Sequence, residues 1–422
     1  MPHDRNAMRG SITPADGEGV AGSAESSHAD LARGPSREDS VLTLRQCATG
    51  LLALADRSAV VEEEWVSPFP RALQRGLNRL ALACLRRQRP PIGDLAALVV
   101  LAEQPLEVWP LDLPPDEYDL AATLLTPDGT GRPTRACEEL ALARGDMEAA
   151  LREEGLMGQV LARCRATNAQ DDYVAFRRLL IERPVLSHEE LLEIVDRPEF
   201  LRLQNETLSA YPVIPPHYAR DGAVRQCPHC GCATTPQRVI GGAVRWACVE
   251  MSCKGALQPA HDEACTRLAA RNGVHWLRPD LRRYILAPGR PELTLAAELK
   301  ALRLTVQLWP GVDRYDLRVM LPGAEIWAID VKDWSNPVQL ASYVQPIPPD
   351  PPWTSAFFVF PDARRDRYLE ETGGDYRRVF VERCATLGKA CEARYASEIT
   401  RAARQLLRGT RRSAAPQGAD HA

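Results

Sequence analysis

Two carboxylates and a lysine stand where a β-hairpin would gather them: Asp316, Asp330 and Lys332, within the stretch that runs from Asp313 to Lys332. Leu317, Val319 and Leu321 alternate with other residues, as do Trp327, Ile329 and Val331, and Pro322-Gly323 supplies turn chemistry between the two runs. Burying both apolar triplets on one face requires Leu317 opposite Ile329 and Val319 opposite Trp327. The same register sets Asp316 opposite Asp330, with cross-strand Cβ atoms about 5 Å apart, and Lys332 follows two residues on along the Asp330 face. Carboxylates held that close repel, which raises one pKa. A hard divalent cation, Mg²⁺ or Mn²⁺, relieves the repulsion through oxygen ligands, and the carbonyl of Val331 would add to them. Such an ion polarises a phosphodiester and activates water, while Lys332 would orient that water or offset phosphate charge. The competing reading is an ordinary charged hairpin whose Asp and Lys are solvated.

This set resembles the PD-(D/E)xK superfamily of nucleases, the restriction-endonuclease-like fold. Asp316 matches the first acid, and Asp330-Val-Lys332 the (D/E)xK element. Glu298, in the apolar-periodic run Leu293–Leu302, matches the acid on the helix before the first strand; Gln339-Leu-Ala-Ser-Tyr343 matches the QxxxY element of the RecB-like branch. Tyr315 stands where the superfamily has proline, and Asp313 is a competing acid. The resemblance implies that Glu298 acts on the metal directly or through water, and that Gln339 and Tyr343 steady the phosphate or the lysine.

A second constellation is Cys227-Pro-His-Cys230, seventeen residues, then Cys248-Val-Glu-Met-Ser-Cys253. Each pair can close a tight turn on one side of a Zn²⁺ ion, and four thiolates complete a tetrahedron with no open position for catalysis. Arg238–Ile240 and Ala243–Trp246 flank Gly241-Gly242 as hairpin strands. The pattern predicts a structural zinc ribbon, with Cys232 and His229 as substitute ligands; nothing indicates the secretion that disulfides would need. Residues 267–290 then carry Arg267, Arg271, Arg278, Arg282, Arg283 and Arg290, interleaved with Trp276 and Tyr284. Arginine forks suit phosphates and aromatic faces suit unstacked bases, although a solvated arginine-rich surface explains the segment equally well.

The elements that must position these groups read as a multidomain chain. Residues 1–40 are rich in Gly, Ser, Ala and Asp and are expected to be disordered. Residues 41–215 form a mostly α region, with helices over Val41–Leu54, Leu73–Leu85, Leu95–Leu101, Arg135–Arg152 and Asp171–Ile181, and a capping box at Ser187-His-Glu-Glu190. Within it Cys47, Cys84, Cys137 and Cys164 lack metal spacing, and no catalytic constellation is evident. Proline-rich 204–224 reads as a linker, 224–257 as the ribbon, 264–409 as an α/β nuclease core and 410–422 as a flexible tail. In the core, a helix with Glu298, strand Leu304–Leu308, the hairpin, helix Pro337–Val344, strand Ser355–Phe360, a strand at Arg378–Val381 and a closing helix Ala390–Leu407 follow in order. The net charge of −4 excludes a generally basic nucleic-acid coat, and no apolar run is long enough to span a bilayer, which suits a cytoplasmic protein.

The layout of helical region, ribbon and nuclease core, with Asp313-Arg-Tyr-Asp-Leu-Arg-Val and Asp330-Val-Lys-Asp-Trp334, resembles the restriction-endonuclease proteins of the prokaryotic pPIWI-RE three-gene islands. The resemblance implies that 41–215 corresponds to the family's domain Y, that the partners are DNA, a PIWI-like protein and a DinG-like helicase, and that the role is defence against phage or plasmid DNA. A homo-oligomer is compatible with the sequence. The alternative function is a non-catalytic nucleic-acid-binding adaptor, in which ribbon and arginine segment bind and the nuclease fold is a platform.

Overall fold

The acids sit on a five-stranded sheet of order β3-β4-β5-β6-β7: β3 (Thr305–Leu308), β4 (Leu317–Met320), β5 (Ile326–Val331), β6 (Ser355–Phe360) and β7 (Ala393–Tyr395). The first three strands are antiparallel, and β5, β6 and β7 are parallel. Parallel neighbours need crossover connections; α10 (Pro337–Tyr343) provides one, and α11 (Asp362–Thr372) with α12 (Tyr376–Thr386) the next. The chain is described here from a computed structural model, which covers residues 36–413 apart from 57–64, 67–68, 128, 130, 143–154, 239–243, 252 and 271–272.

The hairpin register follows from burial. Leu317 pairs with Ile329 and Val319 with Trp327, and all four are buried. The turn from Leu321 to Glu325 is closed by the Leu321 N–H donating to the Glu325 carbonyl at 2.8 Å. Gly323 takes φ 78° there, a value suited to glycine.

Packing separates the chain into cores that do not simply follow its order. Helices α1 (Arg37–Ala55), α2 (Arg71–Arg86), α3 (Leu95–Ala102) and α4 (Arg135–Leu142) bury Leu44, Leu51, Leu73, Leu77 and Leu98 together. The first two cross closely: a Cβ on Gly50 would lie 2.4 Å from the Leu73 Cβ. Helices α5 (Leu156–Ala166), α6 (Gln170–Glu182), α7 (His188–Val195) and α8 (Gln204–Ala210) join a different core. They pack with α9 (Ala287–Ala301), one sheet face, the cysteine cluster and α13 (Ala396–Ser413). The other sheet face packs Phe358 and Phe360 against Leu340 of α10 and Phe380 of α12.

Several local expectations are corrected. Residues 37–40 are the first turn of α1, capped by Ser36, whose hydroxyl accepts from the Asp39 N–H at 3.1 Å; residues 1–35 lie outside the described residues. Residues 204–210 are helical rather than linker, because Thr207 and Ala210 bury one face. Arg378–Val381 lies inside α12, where Tyr376, Phe380 and Cys384 follow the helical period of four and all are buried. The closing segment is a strand, β7, followed by α13, which runs to Ser413. The capping box is present at Ser187, with both reciprocal bonds to Glu190. The Gly241-Gly242 turn, the end of the expected Arg135–Arg152 helix and residues 414–422 lie outside the described residues. Among the described residues no helix is long and apolar enough to cross a membrane.

Candidate active site

At the open end of β4 and β5, a cavity of about 260 Å³ is lined by Asp316, Asp330, Val331, Lys332, Glu292 and Arg177, among others. One step beyond the Leu317–Ile329 pair, Asp316 faces the end of β5. Its Oδ2 accepts from the Val331 N–H at 2.7 Å, and its own carbonyl accepts from the Trp309 N–H at 2.7 Å. Asp330, half-buried, pairs with the Lys332 Nζ at 2.6 Å. The register argument therefore brings Asp316, Asp330, Val331 and Lys332 to one cavity.

Glu292 of α9 is the helix acid that enters this cavity. It is only 2% exposed; it accepts from the Trp309 Nε1–H at 2.5 Å and from the Arg177 Nη2 at 3.0 and 3.1 Å. Glu298, expected in that role, lies six residues further along the same helix. It is exposed, and its carboxylate accepts from the Thr400 hydroxyl of α13 at 2.9 Å, away from the cavity. The missed signal is helical phase: Glu292, Leu295, Ala296 and Leu299 share one buried face, and Glu298 falls off it.

Gln339 and Tyr343 also lie elsewhere. Gln339 lines a separate cavity with Glu117, Tyr118, Asn336 and Tyr368. Tyr343 stacks on Trp334 with ring centroids 5.6 Å apart, and its hydroxyl accepts from Arg45 of α1. Neither lines the cavity of the acids.

Electrostatics set the character of the site. Burial holds the Asp316 carboxyl well above the usual carboxylate range, and the charges of Glu292 and Asp330 add to this, while Lys332 and Arg177 oppose it. Burial raises Glu292 in the same way, against the Arg177 charge and the Trp309 hydrogen bond. A carboxyl raised in the native state binds its proton more tightly there than in the unfolded chain. Its contribution to stability is complete below the ordinary carboxylate pKa of about 4 and is lost as pH rises toward the native value. Asp316→Asn keeps an acceptor for the Val331 N–H and removes the charge. It is expected to raise the metal-free melting temperature by a few degrees at about pH 7.5, since a tenfold difference in proton affinity between native and unfolded chain is worth about 1.4 kcal/mol, and to raise it distinctly less at about pH 4.5. Thermal melts at both pH values check this, and equal melting of parent and variant at the higher pH would refute it.

The second cluster is formed by Cys227, Cys230, Cys248 and Cys253, all buried, with their sulfurs within 4.8 Å of one another. Cys227 and Cys253 Sγ are 3.7 Å apart, and Cys230 and Cys248 Sγ 3.2 Å. Four Zn–S bonds of about 2.3 Å to a tetrahedral ion place sulfurs roughly 3.8 Å apart. The Glu250 and Gly255 N–H groups donate to Cys248 and Cys253 Sγ at 3.3 and 3.4 Å, as thiolates favour. No cysteine among the described residues forms a disulfide. These four can hold a metal such as zinc; Cys232 and His229 are not in the group. Strands β1 (Thr234–Arg238) and β2 (Val244–Cys248) pair beside it.

Much of the arginine segment turns inward. Arg283 donates to Glu138 at 3.1 Å and to Asp56 at 2.6 Å, Arg282 pairs with Glu250 at 3.4 Å, and Trp276 is buried, while the more exposed Arg278 pairs with Asp280 at 2.9 Å. Arg267 is exposed, and Arg271 lies outside the described residues. Sequence spacing could not separate these fates, because the acids that meet Arg282 and Arg283 come from distant stretches, whereas Arg278 pairs with an acid two residues on.

Two family models match the chain. Residues 43–187 match the domain described as pPIWI_RE three-gene island domain Y, and residues 289–411 the one described as REase associating with pPIWI_RE. Both agree with the resemblance read from the sequence, and the second points to a nuclease-like role. Among curated proteins and among solved structures, nothing matches the chain.

Proposed function

We propose that this chain, with domain Y and the associated REase of a pPIWI-RE island in one polypeptide, is a metal-dependent deoxyribonuclease of the PD-(D/E)xK type. The observation that supports the reading most is the convergence of Asp316, Asp330, Lys332 and Glu292 on one cavity at the end of two strands. The donor set suits a hard cation: carboxylate oxygens gathered from two neighbouring strands and a helix, with Asp316 and Glu292 disfavoured as anions by their burial. Asp316 and Asp330 would hold Mg²⁺ or Mn²⁺, with the Val331 carbonyl as a further oxygen and Glu292 in the place expected for Glu298. When bound, the ion supplies Lewis acidity toward a phosphodiester oxygen and lowers the pKa of water.

The chain's own residues do the rest. Lys332, held by Asp330, presents an ammonium that orients the attacking water and offsets charge on the phosphate. The Val331 N–H fixes one oxygen of Asp316, so the other would be the one to serve the cation. The four cysteines hold zinc as a structural ribbon, and Tyr343, bonded to Arg45, steadies the seam between the helical region and the nuclease core. The biological setting we infer is defence against phage or plasmid DNA, with a PIWI-like protein and a DinG-like helicase as partners.

The test is cleavage of plasmid and linear DNA by purified protein with Mg²⁺ or Mn²⁺, alone and with those partners. Cutting that EDTA abolishes and fresh Mg²⁺ restores supports the reading. Silence in every combination, with DNA still bound, favours the adaptor.

A further inference from the structure

The backbone that delivers Asp316 is unusual. Between β3 and β4, Trp309, Gly311, Val312 and Asp313 all take positive φ, at 44°, 63°, 54° and 66°. Only glycine adopts that region at no cost, and a β-branched valine there is an outlier that surrounding structure must enforce. The enforcing contacts come from a distant part of the chain, helices α5 and α6.

Gln170, at the start of α6, uses both ends of its amide on this loop. Its Nε2 donates to the carbonyls of Leu308 at 3.2 Å and Trp309 at 3.0 Å, and its Oε1 accepts from the Val312 N–H at 2.8 Å. Arg165 of α5 donates twice to the Val312 carbonyl, at 3.1 and 3.0 Å. Arg177, two turns along α6, reaches further in. Its Nη2 donates to both oxygens of Glu292 and its Nη1 to Asp313; the guanidinium lies over the Trp309 ring at 4.6 Å from its centroid and stands 3.9 Å from Asp316 Oδ1. Its side chain is 7% exposed, so these carboxylates feel its charge with little screening by water.

We propose that Arg177 is a positioning residue of the acid centre, and that Arg165, Gln170 and Arg177 together clasp the 309–313 loop so that Asp316 and Glu292 converge. The nuclease centre is thus assembled across the family boundary: residues 165, 170 and 177 fall in the domain Y match, and the acids in the REase match. A planar fork suits this task because it holds two carboxylates at fixed angles, which a lysine ammonium cannot do. The catalytic part of the inference rests on the nuclease reading; the clasp itself does not.

The experiment therefore has two readouts on the full chain. Hydrogen exchange of the peptide spanning 309–316 reports the clasp, with a peptide from α1 as internal control. Cleavage kinetics report the consequence. For Arg177→Gln we expect exchange at least tenfold faster in 309–316 and unchanged in α1. We expect kcat to fall at least a hundredfold with KM within about threefold, since an interaction acting on the transition state rather than on substrate binding lowers kcat. Arg177→Lys should recover part of kcat, and Arg178→Gln, on the exposed neighbour, should change neither readout. Gln170→Ala should loosen the same peptide, and it carries the exchange test if Arg177→Gln does not fold. Exchange in 309–316 at the parent rate in both Gln170→Ala and the folded Arg177 variants overturns the proposal. If the parent cuts nothing, alone or with the partners, the nuclease reading fails, and the exchange result alone decides whether domain Y clasps the loop. If the peptide loosens but kcat holds, the clasp stands and the positioning role is refuted.

Discussion

Asp330→Asn and Lys332→Ala should each reduce metal-dependent DNA cleavage by about a thousandfold or more while leaving the fold nearly intact; removing one preorganised electrostatic group from an active site typically costs about 10²–10³ in rate, and Asp330 also serves as a metal ligand in the proposed mechanism. The structural cost is small because the pair is not deeply buried: the Asp330 side chain is 18% exposed and that of Lys332 29%. An ion pair so placed contributes about 1 kcal/mol or less. Neutralising Asp330 also removes one of the charges that raise the Asp316 carboxyl, so Asp330→Asn should melt no lower than the parent at neutral pH in metal-free buffer. The double variant should lose little more activity than either single one, because residues acting as a unit are not additive. Single-turnover cleavage beside thermal melts checks all of this. An Asp330→Asn protein that cuts within tenfold of the parent would remove these residues from the mechanism.

What sequence could deliver was whatever depends on local period. Alternation of Leu317, Val319, Trp327, Ile329 and Val331 determined the register, because a slip by one residue would turn every apolar side chain to the wrong face. The cysteine spacing located four sulfurs that converge for the same local reason. What escaped was anything decided by a partner far along the chain. Glu292 and Glu298 both lie on α9, and only the helical phase of Leu295, Ala296 and Leu299 separates the one that turns inward. Gln339 and Tyr343 have the spacing of a familiar element, yet their surroundings come from residues such as Arg45 and Glu117. Arg177 lies on a helix whose own sequence carries no catalytic constellation. Its importance depends on a loop 136 residues later whose backbone no propensity scale would choose.

Removing zinc should do more damage than removing the catalytic cation, and of a different kind. The four thiolates belong to the same core as Met157, Leu161 and Leu281 and to the packing beneath α9, rather than to a separate appendage. Arg132 donates to the Cys248 carbonyl at 2.7 Å, so the cluster also anchors the chain ahead of α4. Structural zinc sites contribute about 10–16 kcal/mol of apparent binding energy that is also folding energy. Cys230→Ser or Cys248→Ser should therefore lower the melting temperature by more than about 10 °C, given that about 1 kcal/mol shifts a domain of moderate size by roughly 2–4 °C. A subtler variant tests the same site without touching a ligand. A Cβ on Gly255 would lie 2.6 Å from the Cys227 sulfur, and the Gly255 N–H donates to Cys253 Sγ. Gly255→Ala should consequently weaken metal retention, read as faster zinc release to a colorimetric chelator, with a smaller fall in melting temperature. Brief EDTA treatment should stop cleavage at once and reversibly, because the proposed catalytic ion would bind beside Asp330 and Lys332, whose side chains solvent reaches, whereas zinc should leave the buried thiolates slowly and take the fold with it. If the cysteine variants melt with the parent and the purified protein carries no zinc, the cluster is a packed set of thiols and the ribbon reading is wrong.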